Sequence, residues 1–163
     1  MKMEIRFHSK TFFKRVFSLI IICLVFFVIY VIHGLHSFYS FDSILQKESS
    51  AKIVHCSLDI CSSENDLAIP IDVDSDLFEH LYQALQSEQY TKPLTSILGF
   101  TTSAYQIEAY PYYRILLQHE DQHRTEVVVN GNSLLVGSTT ESGLTVYQTS
   151  NDTSLLKNLN SLF

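Results

Sequence analysis

His119-Glu120-Asp121-Gln122-His123 fits the HExxH pattern of zinc hydrolases. On a helix, histidines at i and i+4 share a face and hold the metal, while the glutamate between them deprotonates the attacking water. The setting here is not helical. RILLQ before the motif and RTEVVV after it read as strands, and Asp121 and Gln122 fill slots where such a helix carries apolar core residues. As a third ligand, Glu126 lies too near and Glu141 falls in a turn. The sequence therefore predicts a polar hairpin turn at 119–123. The alternative, a membrane-bound zinc metallohydrolase using His119, Glu120 and His123, requires a helix over 115–126.

Asp72, Asp74 and Asp76 open like a calcium-binding loop, D-x-D-x-D, but Leu77 stands where that loop needs glycine and Gln83 where it needs a bidentate glutamate. Acids at the start of a helix explain them better. Cys56 and Cys61, five residues apart on one strand, would face opposite ways about 16 Å apart, too far for a disulfide unless a turn intervenes in SLDI. Unpaired thiols are expected. Tyr105, Tyr110, Tyr112 and Tyr113 are the residue type that lines binding surfaces, although alternation along two strands explains them equally well. Asn151-Asp152-Thr153 is a glycosylation sequon. No glycine-rich phosphate loop or nucleophile elbow occurs, and the expected set of catalytic, cofactor-binding and metal-ligating residues is empty.

The elements that carry these residues follow from periodicity. Val54, Cys56, Leu58 and Ile60 alternate with polar residues, predicting a strand over 52–60, and 67–73 returns as a second strand in which Pro70 demands an edge or irregular position. Residues 74–89 form the clearest helix, capped by Asp74 or Ser75, with Leu77, Phe78, Leu81, Ala84 and Leu85 on one face. Residues 91–99, with Pro93, read as a loop holding a short helical turn. Strands are predicted at 104–110, 112–118, 124–129, 133–137 and 144–149, with Asn130-Gly131 as a hairpin turn. Leu155, Leu156, Leu159 and Leu162 place a closing helix over 152–163. The fold class is α+β, an antiparallel sheet packed by two helices on one face.

Before this domain, Val16 to Ile32 (VFSLIIICLVFFVIYVI) is interrupted by Ser18, Cys23 and Tyr30 alone. Such a run approaches the length that crosses a hydrocarbon core and exceeds a secretion signal's apolar region. The sequence predicts an uncleaved transmembrane anchor over 16–35, through which the lipid bilayer is a partner. Lys2, Arg6, Lys10, Lys14 and Arg15 against Glu4 make residues 1–15 a cytoplasmic basic tail. From Ser37 onward six Lys or Arg face sixteen Asp or Glu, which places the remainder outside and argues against nucleic acid or an anionic surface as partner. Residues 36–50 (HSFYSFDSILQKESS) read as a juxtamembrane stalk or the first turn of a continued helix, in either case a spacer, and 51–163 as one extracytoplasmic domain.

The succession IPIDVDSDLFEHLYQAL, YYRILLQ, VVVNGNSLLV and VYQTSNDTSLLKNL loosely resembles the small extracytoplasmic α+β domains of uncharacterised Gram-positive lipoproteins and membrane-anchored proteins. The likeness lies in the order of elements across Lys52 to Phe163, and this chain lacks the lipobox cysteine of the lipoproteins. It implies an α+β fold outside the membrane and no transferable catalytic residues. The expectation is a single-pass, non-enzymatic binding, sensing or accessory domain with a membrane or envelope protein as partner.

Overall fold

The computed structural model describes residues 9–62, 66–101, 112–139, 143–149 and 154–163. It begins with α1 (Ser9–Leu35), followed by α2 (Phe41–Glu48), β1 (Ile53–Cys61), β2 (Asp66–Ile71), α3 (Asp76–Gln86), β3 (Tyr90–Thr91) and α4 (Leu94–Ile97). Then come β4 (Tyr112–His119), β5 (Arg124–Asn130), β6 (Ser133–Ser138), β7 (Thr145–Thr149) and α5 (Ser154–Asn160). Among the described residues, seven antiparallel strands form one sheet in the order β2-β1-β4-β5-β6-β7-β3. The chain is α+β. The strand predicted at 104–110 and the sequon at 151–153 lie outside the described residues.

Alternation decides which side of each strand is buried. Cys56 and Leu58 of β1, and Tyr113, Ile115 and Leu117 of β4, turn to one face, where they meet Val127, Val129, Leu134, Val136 and Tyr147. Leu81 and Leu85 from α3 and Leu155 and Leu159 from α5 cover that face. The opposite face holds a smaller cluster of Val128, Leu135 and Leu144, with Tyr112 and Val146 against it. Central strands buried on both sides need continuous apolar runs, which is why VVV and LLV lack the alternation of β4. At the sheet's edge lies β2, where Pro70 opposite Ser57 withholds no donor from an inner ladder.

Two local expectations are shifted. The β5–β6 register pairs Asn130 with Ser133, so the turn is Gly131-Asn132 rather than Asn130-Gly131. Glycine then occupies the first central position with φ +59°, a conformation that suits a tight hairpin and strains a side chain. The helix expected over 74–89 is confined to Asp76–Gln86, with Ser75 rather than Asp74 as its cap: the Ser75 hydroxyl accepts from the Phe78 amide at 3.3 Å.

The largest correction concerns residues 36–50, which are not a stalk. Ser40 caps α2 by accepting from the Ser43 amide, and the helix sends Phe41, Ile44 and Leu45 into the main core. Phe41 is completely buried and meets Tyr82 edge-on at 5.4 Å between ring centroids. Asp42 accepts from the Tyr82 hydroxyl at 2.8 Å and from Gln86 at 2.9 Å, which ties α2 to α3. Backbone bonds of 2.8 and 3.0 Å between Tyr39 and Tyr90 pin the segment ahead of it. Three helices therefore cover the core face, not two. The apparent polarity of SFYSFDSILQKESS hid an amphipathic turn whose apolar side is only three residues wide.

Within α1, Phe13–Leu35 forms a stretch of 23 residues, long and apolar enough to cross a membrane, and its most apolar 18-residue window has mean hydropathy 2.9 and is not buried against the domain. A membrane anchor and a secretion signal both fit such a helix.

Candidate functional site

The HEDQH segment is the tip of the β4–β5 hairpin. The His119 amide donates to His123 O and the Gln122 amide to His119 O, each at 2.9 Å, and Gln122 adopts φ +66°. Residues 115–126, which the metallohydrolase reading requires as helix, are two strands and this turn. His119 is buried, with Nδ1 2.9 Å from Ala51 O and Nε2 3.0 Å from Thr125 Oγ1. Because a carbonyl only accepts, Nδ1 donates to Ala51, and neither ring nitrogen is open to a metal. His123 lies with its ring centroid 5.9 Å away, and its Nε2 is buried without a hydrogen-bond partner among the described residues.

Asp121 and Glu120 also serve the turn. The His123 amide holds the Asp121 carboxyl below the usual carboxylate range, and the Ser49 hydroxyl, donating at 3.1 Å, adds to this. The Glu120 amide donates to Lys52 O at 2.9 Å, while its side chain faces solvent. The turn thus fastens residues 49–52, which lead from α2 into β1.

The other sequence candidates are not brought together. The Asp72 carboxylate accepts from the Asp74 amide at 3.1 Å, and Asp76 opens α3, so this group is a turn followed by a helix cap. Among the described residues no cluster of three or more His, Cys, Asp or Glu could hold a metal ion. Cys56 and Cys61 are free buried thiols, and burial pushes the Cys56 thiol up to about 12. Tyr112 and Tyr113 turn to opposite faces, Tyr113 donating its hydroxyl to Asn160 on the core side.

Two hollows remain. One, of about 400 Å³, lies on the sheet face opposite the core helices, lined by His55, Ser57, Gln118, Arg124 and Thr139 beside Arg114, which pairs with Glu126 at 2.7 Å. The other, of about 460 Å³, lies where α1 meets the domain. Its α1 wall includes Phe26, Tyr30, His33 and Gly34, and its domain wall Tyr39, Lys92, Ser96 and Ile97. Sequence reasoning missed this second site because its walls come from three separate segments. The available signals were Lys92, one of few cations in an acidic domain, and the apolar residues after Pro93.

Contact at this junction is close. A Cβ added at Gly34 would fall 3.0–3.2 Å from three side-chain carbons of Ile97, and the Tyr30 hydroxyl donates to Ile97 O at 3.4 Å. Gly34→Leu is expected to displace α4 from α1 at about 1–3 kcal/mol, the usual cost of overpacking. Hydrogen exchange should show this as faster exchange at Ile97 and Leu98 with β4 and β5 unchanged. Unaltered exchange at α4 would mean that the two elements do not bear on each other.

No family model matches the chain, and neither the curated proteins nor the solved structures include a match.

Proposed function

We propose that this chain is a single-pass membrane protein with residues 1–15 in the cytoplasm, an uncleaved anchor over 16–35, and a non-enzymatic α+β domain outside that binds or senses a membrane or envelope protein. The observation that carries this reading is α1. A helix whose strongly apolar window is left uncovered by its own domain is suited to another apolar medium, and the basic residues before it resist translocation. The HExxH histidines lie in a hairpin rather than on a helix, which supports this reading over the metallohydrolase. Because α2 belongs to the core, the domain stands directly on the end of its anchor rather than on a flexible spacer.

Alkaline carbonate washing of membranes, followed by the intact mass of the retained chain, tests the anchor. The expected result is retention at the full 18.7 kDa, with the domain open to protease added from outside. Release into the wash, or a mass shortened by the N-terminal segment, would refute it. Hydrolytic activity that requires zinc and disappears in Glu120→Gln would refute the non-enzymatic part.

A further inference from the structure

We propose that the cavity between the C-terminal end of α1 and the α4 segment binds one phospholipid, its phosphate held by Lys92 and Ser96 and its acyl chains lying along Phe26 and Ile29. This rests on the membrane reading above. Phe26, Tyr30 and His33 recur along α1 at spacings of four and three, and Ser37 follows just past the helix end, so this wall passes from apolar to polar. A lipid has the same gradient.

The domain supplies the polar wall. Ser96 is 7 % exposed, and its hydroxyl, closed off from solvent, has no hydrogen-bond partner among the described residues. A buried hydroxyl without an acceptor is costly, and it lines the cavity. Lys92 lies 5.7 Å from the Tyr39 ring centroid and 5.2 Å from that of Tyr147, while Lys47 lies 4.3 Å from Tyr39. Burial, with the neighbouring charge of Lys47, lowers the Lys92 pKa, and Glu48 opposes this. Lys92 is the Lys or Arg among the residues that line the cavity, and those residues include no carboxylate, so an anionic headgroup is favoured over a zwitterionic one. The domain's overall negative charge does not prevent this, because charges farther than about 8 Å are largely screened at physiological salt.

The rim fixes the source of the phosphate. Leu94, Leu98 and Phe100 are 47 %, 41 % and 65 % exposed, and Phe38 is 63 % exposed. Large apolar side chains on the segments that flank the cavity suit contact with the outer leaflet, so a lipid reaches the mouth without crossing water.

The test uses the full chain in nanodiscs of three parts phosphatidylcholine to one part phosphatidylglycerol, with retained lipid read by native mass spectrometry. One phospholipid per chain is expected, enriched in phosphatidylglycerol. Lys92→Gln should lower that retention about tenfold, equivalent to ~1.4 kcal/mol. Lys92→Arg should restore it, Ser96→Ala should weaken it, and Lys157→Gln on α5 should leave it unchanged. Retention indifferent to Lys92→Gln in a chain that resists carbonate would overturn the lipid site while leaving the anchor intact. Displacement of the lipid by inorganic phosphate would assign the site to the free ion and overturn it likewise. A chain released by carbonate would overturn both readings.

Discussion

Phe41→Ala is expected to destabilise the folded domain by about 3–5 kcal/mol, the range for removing a fully buried aromatic side chain, whereas Phe38→Ala should change stability by less than ~0.5 kcal/mol. The contrast follows from position. Phe41 is completely buried against Tyr82, whereas Phe38, three residues earlier, is 63 % exposed. Urea unfolding of the full chain in detergent, followed by circular dichroism, separates the two. The same reasoning extends to truncation. A chain beginning at Ala51 lacks Phe41, Ile44 and Leu45, each worth about 1.5–3 kcal/mol of apolar burial, and their sum is comparable to the whole stability of a small domain. It also leaves Tyr90 without its backbone partner Tyr39, and Tyr82 and Gln86 without Asp42. Such a chain should lose cooperative unfolding, while one beginning at Ser37 should keep it. Equal behaviour of the two chains would return residues 36–50 to the role of a spacer.

What could be read in advance depended on how many residues carried each signal. Long periodic segments were legible: Val54, Cys56, Leu58 and Ile60 alternate with polar residues and mark β1, and α3 repeats its apolar face across three turns, although its ends lie inside the expected 74–89. A single Pro70 limited β2 to an edge or irregular position, because a missing backbone donor disfavours an inner strand, and β2 takes the edge. By contrast, α2 spans two turns with an apolar side of three residues, and it is stable because it packs on α3 and the sheet rather than through its own propensity. No local pattern reports that. Register in the β5–β6 hairpin was misplaced by one residue, since Asn130-Gly131 and Gly131-Asn132 both offer turn chemistry and the pairing of Leu134 with Val129 selects between them. The junction cavity was illegible for a different reason: Tyr30, Tyr39, Lys92 and Ser96 meet only in three dimensions.

His119→Ala should cost about 2–4 kcal/mol, combining the lost ring contacts with two polar groups left without their partner, while Glu120→Gln should stay within ~0.5 kcal/mol. These groups are the part-buried Ala51 O and the buried Thr125 Oγ1, which His119 joins across the space between the start of β1 and β5. Replacing Glu120 touches neither, because its structural bond to Lys52 runs through the backbone. A zinc hydrolase predicts another pattern: chelation would lower the Tm, and Glu120→Gln would abolish activity while leaving the fold intact. Thermal unfolding with and without a chelator therefore distinguishes a latch from a metal site. For a latch, Tm is independent of chelator and falls sharply with His119→Ala. The cost should appear in hydrogen exchange first at residues 49–53, since the hairpin tip holds that segment through the Ser49, Ala51 and Lys52 bonds. On this account His119 and Asp121 in the HExxH pattern serve to anchor the passage from α2 into the sheet, the same passage on which the Phe41 prediction depends.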